Sequence, residues 1–186
     1  MTQHQRQRRL DVDEFLDWAD AQPESRFELA DGVVVAMAPE RIAHALTKLD
    51  AAVALKAAVS AAGLGCETFI DGVGVRIDDR TMYIPDVIVR CGPKAPRDSR
   101  EVDDPVILVE VVSPSTQSID SVAKLSRYFQ LPSLRHYLII DPEARAVVHH
   151  GRAGSGEIES RLVQGGTVAL DPPGLEIEVG ALFASI

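Results

Sequence analysis

Hydrophobic residues recur along this chain in two spacings, one helical and one strand-like. Helical spacing covers residues 11–22, 41–62 and 120–130, and the longest of these segments is rich in alanine and lacks Gly and Pro. Short apolar runs rich in β-branched residues predict strands, and they cover residues 26–30, 33–37, 66–70, 73–77, 82–90, 106–113, 134–141, 146–150 and 158–163. Because helices are interspersed with strands, we predict an α+β fold: a twisted mixed sheet flanked by helices, with an N-terminal hairpin and a C-terminal antiparallel meander.

The size and charge of the chain limit the classes of protein to which it can belong. Its 186 residues are 46% hydrophobic, which is enough for one ordinary core, so we predict a disordered arm over residues 1–10 and a single domain over residues 11–186. No apolar run is long enough for a membrane helix or placed as in a signal peptide, so we expect a cytoplasmic location. The net charge of −9 gives no general attraction to nucleic acid, and a DNA partner would need a local basic surface.

The cysteines and histidines give no metal-ligand pattern. Cys66 and Cys91 lie far apart in the sequence, and we predict that both are small apolar core residues in a reducing compartment. His149 and His150 are predicted at the surface, with no ligand set nearby. His44 stands alone in the long helix, and a lone histidine is more often structural than catalytic.

Two carboxylates interrupt apolar strands, and these are the residues that suggest chemistry. Asp86 follows Pro85 in one apolar run, and Glu110 lies in the next. A buried carboxylate is costly unless its charge is compensated, and two on nearby strands can share one divalent cation. Each also has a structural alternative, since Asp86 could cap a turn and Glu110 could pair with an arginine.

Several motifs together resemble the Uma-type family of restriction endonucleases, which belongs to the PD-(D/E)xK nuclease superfamily. The resemblance extends from about Asp11 to the C-terminus, and the tetrapeptide Ser-Pro-Ser-Thr at 113–116 is quite specific. The motifs are Phe-Glu-Leu-Ala-Asp-Gly at 27–32, His44, Pro-Asp-Val at 85–87, the segment 109–116, Lys124 with Leu125 and Tyr128, and Tyr-Leu-Ile-Ile-Asp-Pro at 137–142.

The resemblance implies a restriction-endonuclease-like fold and a Mg²⁺ or Mn²⁺ site that hydrolyses phosphodiester bonds in DNA. The superfamily pattern would place a lysine at position 112, where this chain has valine, and the following helix offers Lys124 as the catalytic cation instead. The remaining implied catalytic and metal-binding residues are Asp86, Glu110, Glu28 and the backbone carbonyl of Val111.

Alternatives to this interpretation stay open. Lys124 alone on a helix could be a surface residue paired with Asp120 four positions earlier. The chain could be a non-catalytic binding or regulatory protein on a nuclease-like scaffold, or an enzyme for a smaller phosphoester, because a fold does not select a substrate. The resemblance is also compatible with a homodimer, since nucleases of this fold that cut duplexes often work as dimers.

Overall fold

The computed structural model describes residues 8–112 and 120–186, without the side chains of residues 120–122. Within these residues the helices are α1 (Val12–Asp20), α2 (Ile42–Ala61) and α3 (Asp120–Tyr128), and a 3₁₀ helix (Val179–Phe183) lies near the C-terminus. The strands are β1 (Phe27–Ala30), β2 (Val33–Ala36), β3 (Cys66–Ile70), β4 (Val75–Asp78), β5 (Thr81–Tyr83), β6 (Val87–Cys91), β7 (Pro105–Val111), β8 (His136–Asp141), β9 (Ala146–Arg152), β10 (Ile158–Val163), β11 (Thr167–Leu170) and β12 (Leu175–Glu178).

The strands form one large mixed sheet and two smaller ones. The order in the large sheet is β10-β9-β8-β7-β6-β3, in which β7 and β8 are parallel and the other neighbours antiparallel. A four-stranded sheet has the order β2-β1-β5-β4, and β11 pairs with β12. The predicted mixed α+β fold is therefore confirmed. None of the described helices is long and apolar enough to cross a membrane.

Successive side chains of β7 point alternately to the two faces of the large sheet. Ile107, Val109 and Val111 point into the core beneath α2 and the 3₁₀ helix, where they meet residues such as Leu55. Leu108 lies in the opposite core with residues of α3 and β8. Because side chains two apart on a strand share a face, Glu110 points with Leu108 toward α3.

The predicted strand over residues 82–90 is divided in the structure. Its first part is β5, in the four-stranded sheet, and its second part is β6, in the large sheet. The break occurs at Pro85, which has no N–H for a ladder hydrogen bond, and the N–H of Ile84 is donated to Glu28 rather than to a strand. The resulting bend places Asp86 directly before β6. The strand predicted to begin at residue 73 begins at Val75 instead.

The prediction of two separate core cysteines is wrong. Cys66 and Cys91 lie opposite each other in the antiparallel pairing of β3 with β6, and they form a disulfide across a sequence separation of 25. The pairing of these strands, which the spacing of the cysteines does not reveal, brings the two sulfur atoms together.

The prediction that His149 and His150 lie at the surface is also wrong. Both are buried, with His149 3% exposed, because β9 lies between β8 and β10 in the large sheet. Two further predictions fall partly or wholly outside the described residues. The predicted arm of residues 1–10 is described only from residue 8 onward, and within that part the N–H of Leu10 donates to the carbonyl of Gly32. The motif at 113–116 lies entirely outside the described residues.

Candidate active site

Asp86 is fixed to the end of the neighbouring strand by a backbone hydrogen bond. The pairing of β6 with β7 sets Val87 opposite Val109, so Asp86 and Glu110 lie at the same end of adjacent strands, as predicted. Asp86 is 6% exposed, and its Oδ2 accepts a hydrogen bond of 2.7 Å from the N–H of Val111. The strand that carries Glu110 thus also orients the carboxylate of Asp86.

Glu110, Glu28, Lys124 and Tyr128 form a group that we call the lysine cluster. The Nζ atom of Lys124 lies 3.0 Å from Oε1 of Glu110 and 2.9 Å from Oε1 of Glu28. The hydroxyl of Tyr128 donates to the same oxygen of Glu110 at 2.8 Å. Glu28 also accepts the N–H of Ile84 at 2.9 Å, so β1, β7, α3 and the bend before Asp86 meet in this cluster.

Asp86 contacts a second group, which we call the histidine cluster, formed by Glu40, His44, Lys48 and Asp86 itself. Nε2 of His44 lies 3.3 Å from Oδ2 of Asp86. The buried ammonium of Lys48 lies 3.3 Å from Oδ1 of Asp86 and 2.6 Å from Oε1 of Glu40. Residues four apart lie on one face of a helix, so residues 44 and 48 of α2 face the bend together, with residue 40 just before the helix.

Three residues of the histidine cluster offer donor atoms that could hold a metal ion. Among the described residues, Glu40, His44 and Asp86 are the three that offer ligand atoms within 4.8 Å of one another. Glu110 and Glu28 are outside this group, because both carboxylates face Lys124. The predicted ligands are therefore divided between the two clusters, and the ammonium of Lys48 already lies among the acids of the histidine cluster.

Asp86 and Glu110 have pKa values displaced in opposite directions. Burial raises the pKa of Glu110 to about 7, with Lys124 opposing the rise and the charges of Asp86 and Glu28 adding to it. Burial also acts to raise the pKa of Asp86, but hydrogen bonds from His44 and from the Val111 N–H outweigh it, so the pKa of Asp86 is lowered. One carboxyl therefore keeps its charge while the other exchanges a proton near neutrality.

The pKa values of the basic partners of these acids are all raised. Burial lowers the pKa of Lys124, but the charges of Glu110 and Glu28 outweigh it and the pKa lies above its usual value. The pKa of Lys48 is raised in the same way, since Glu40 and Asp86 outweigh burial. The pKa of His44 is raised because its contacts with Asp86 outweigh burial. Each cluster is thus a compact arrangement of opposite charges.

The structure alters several sequence interpretations. Lys124 faces Glu110 from a largely buried position, so the surface alternative is not what the structure shows; the side chain of Asp120 is outside the described part. The partner of Glu110 is a lysine, where an arginine was the alternative. His44 contacts Asp86 and is not an isolated helix residue. The sequence interpretation did not include Lys48 and Glu40. A histidine and a lysine four residues apart on an alanine-rich helix share one face, and this spacing was the signal for them.

Comparisons with known proteins identify the family of the chain and relatives of its fold. A family model described as "Putative restriction endonuclease" matches residues 12–182. The uncharacterized protein slr1290 of Synechocystis sp. is 29% identical over 133 residues, which cover 71% of this chain and 68% of that protein. A crystal structure described as "a putative nuclease belonging to DUF820", from Anabaena variabilis, matches with a TM-score of 0.73 over 94% of this chain and 98% of that one. Its identity of 19% makes it evidence for the fold alone.

Proposed function

Because this chain belongs to the Uma2 family, which is described as "Putative restriction endonuclease", as its motifs predicted, we propose that it is a metal-dependent endonuclease that hydrolyses phosphodiester bonds in DNA. One observation carries the proposal. Asp86, which is buried, and Glu110, which is partly buried, lie at the same end of adjacent strands, and the ammonium of Lys48 or Lys124 lies against each of them. Such a combination of carboxylates and cations suits the charge that develops during phosphodiester hydrolysis.

The two clusters contain carboxylate and imidazole donors of the kinds that bind divalent cations. We propose that Asp86, Glu110 and the Val111 carbonyl hold Mg²⁺ or Mn²⁺ with Glu28 in support, and that His44 and Glu40 complete the set beside Asp86. A bound ion of this kind activates water and polarises a phosphoryl oxygen. An imidazole ligand suits Mn²⁺ better than Mg²⁺, which prefers oxygen ligands.

The side chains of the lysine cluster have separate tasks in this proposal. Glu110 accepts a proton from the attacking water. Tyr128 and Lys124 orient its carboxylate through the bonds to Oε1. Lys124 also supplies positive charge for the phosphoryl oxygens as negative charge builds on them. Asp86, with its lowered pKa, stays ionised.

A second function is favoured by the same ammonium groups. Lys48 and Lys124 already neutralise the acids of the two clusters, so a non-catalytic binding or regulatory protein would need no divalent ion here. Some arginines that could attract DNA are also neutralised, since Arg76, Arg100 and Arg127 each pair with a carboxylate. Metal binding distinguishes the two functions.

The test is plasmid cleavage with Mn²⁺ on highly purified protein, with Asp86→Ala alongside and calorimetric titration of Mn²⁺ on both. We expect nicked and linear products from the parent, and a loss of about two or more orders of magnitude in rate with Asp86→Ala. Glu176→Ala, which removes an exposed acid of β12, should cleave as the parent does. Cleavage that survives Asp86→Ala would exclude this site, and a parent that binds no Mn²⁺ would support the non-catalytic function.

A further inference from the structure

Strand β10 ends the six-stranded sheet, and no strand among residues 8–112 and 120–186 pairs with its outer edge. It pairs with β9 on one side, and residues 158–162 are all exposed, including Ile158 at 36% and Leu162 at 67%. An edge strand with free N–H and C=O groups is a template for another strand. Apolar residues of this size on such an edge indicate a surface that is covered by a partner.

The sequence of β10 is complementary to itself. In an antiparallel pairing of two copies centred on Ser160, Ile158 lies opposite Leu162, and Glu159 lies opposite Arg161. Centring the pair one residue earlier would oppose two Glu159 side chains, and one residue later two Arg161 side chains. Opposite charges and apolar pairs across strands are stabilising and like charges destabilising, so one register is favoured.

We propose that β10 is a homodimer interface, at which the large sheets of two copies join through antiparallel β10 strands related by a twofold axis at Ser160. A twofold interface must be self-complementary, because each residue that contacts a second residue is contacted by it in return. The charge pattern of β10 meets this condition within a single strand. A partner of unrelated sequence would not require it.

Side-chain contacts hold β10 in place for such a pairing. Oγ of Ser160 lies 2.7 Å from Nδ1 of His150, and the guanidinium of Arg161 lies 3.5 Å from Nδ1 of His149. Both contacts link β10 to β9. The edge is therefore fixed before the partner arrives, so little ordering is required on association.

The interface is small and separate from the candidate active site. Two six-residue strands cover less than the roughly 800 Å² per partner of a standard interface, so we expect a weak dimer that dissociates in the micromolar range. Strand β7 lies three positions in from β10, which at about 4.8 Å per strand is roughly 14 Å. Dimerisation can thus be measured independently of metal binding or cleavage, and its failure would leave the proposed activity untouched.

The experiment is sedimentation equilibrium of the full chain from about 1 to 200 μM. Glu159→Arg alone opposes two arginines, and Arg161→Glu alone opposes two glutamates, so each should raise the dissociation constant by about tenfold or more. The double variant with both changes restores opposite charges, and its dissociation constant should return to within about threefold of the parent value. Circular dichroism checks that each variant is folded.

A control on another apolar surface makes the result specific. Leu49→Glu alters an exposed leucine on α2 and should leave the dimer unchanged. A parent that is monomeric throughout the concentration range would overturn the proposal. So would single charge reversals that dimerise like the parent, a folded double variant that stays monomeric, or dissociation caused by Leu49→Glu and not by the β10 variants.

Discussion

At the scale of single residues, a bend of three residues determines the position of Asp86. Glu28 accepts the Ile84 N–H, Pro85 ends the pairing of β5, and Asp86 accepts the Val111 N–H. Asp86 therefore lies between an ammonium and an imidazole from α2 on one side and β7 on the other. The family motifs led to Asp86, Glu110, Glu28 and Lys124 from the sequence. The structure brings the last three into contact, and their catalytic roles stay predictions.

Lys48 and Glu40 could not be predicted in the same way. Lys48 contacts Asp86 from about forty positions earlier in the chain, and Glu40 contacts Lys48. The contact with Asp86 depends on how α2 crosses the bend. Periodicity gives the face of a helix and not the element that it packs against. The charge that compensates Asp86 was expected to be a shared metal ion, and the structure adds a buried lysine that serves the same electrostatic purpose.

Lys124→Met tests the lysine cluster. Removal of the ammonium should reduce turnover by about two orders of magnitude or more, the usual cost of losing a group that stabilises charge in the transition state. It also leaves Glu110 without its cation, which raises the pKa of Glu110 above the parent value of about 7. The loss of stability should therefore be larger at pH 8, where only the parent carboxyl is mostly ionised, than at pH 6, where the carboxyl is mostly protonated in both proteins. Cleavage rates and thermal midpoints at both pH values measure the two effects.

The control for this substitution is Lys56→Met, an exposed lysine on α2. It should change neither cleavage nor the pH dependence of stability, since exposed charges contribute at most about 1 kcal/mol. A Lys124→Met protein that cleaves as fast as the parent would remove Lys124 from the catalytic group, whatever its effect on stability.

At the scale of elements, the sequence pattern predicted most boundaries closely. The helix predicted over 41–62 is Ile42–Ala61, and the strand predicted over 66–70 is Cys66–Ile70. The principal exception is the run 82–90, where continuous apolar character concealed a change of sheet at Pro85. A proline within an apparent strand signals such an interruption. The partner of each strand was not predictable, and the disulfide between β3 and β6 was missed for that reason.

The disulfide leads to a prediction at this scale. A cross-link between residues 25 apart restricts the unfolded chain and should stabilise the protein by about 3 kcal/mol. Reduction with dithiothreitol should therefore lower the thermal midpoint by several degrees. The double variant Cys66→Ala with Cys91→Ala should match the reduced parent and not respond to the reductant. A thiol assay that finds two free thiols in the unreduced parent would contradict the bond itself.

At the scale of the whole molecule, buried polar networks join distant parts of the chain, and one of them lies far from the candidate active site. Nε2 of His136 lies 2.9 Å from the carbonyl oxygen of Pro172, and Nδ1 of His136 lies 2.9 Å from Nε2 of His149. If His136 donates to Pro172, its Nδ1 accepts from His149, whose Nδ1 then faces Arg161. This assignment satisfies the ring nitrogens with both histidines neutral.

The neutral state of His149 makes the free energy of unfolding depend on pH. Burial, with His136 and Arg161 adding, lowers the pKa of His149 from 6.5 to about 4. Between these values the unfolded chain binds a proton that the folded protein does not. The contribution of His149 to the free energy of unfolding is therefore fully present above pH 6.5 and is lost as the pH decreases toward 4. The loss from this one group is at most about 3 kcal/mol.

His149→Gln should remove this dependence while preserving a polar side chain at the position. Urea unfolding at pH 7.5, 6, 5 and 4.5 should show a smaller loss of unfolding free energy in the variant than in the parent. His44→Gln is a control of opposite sign, because the raised pKa of His44 adds stability at low pH that is lost as the pH rises. Its removal should make the acid loss steeper. Parallel curves for the parent and His149→Gln would show that His149 titrates alike in the folded and unfolded chain, and the neutral network would then be wrong.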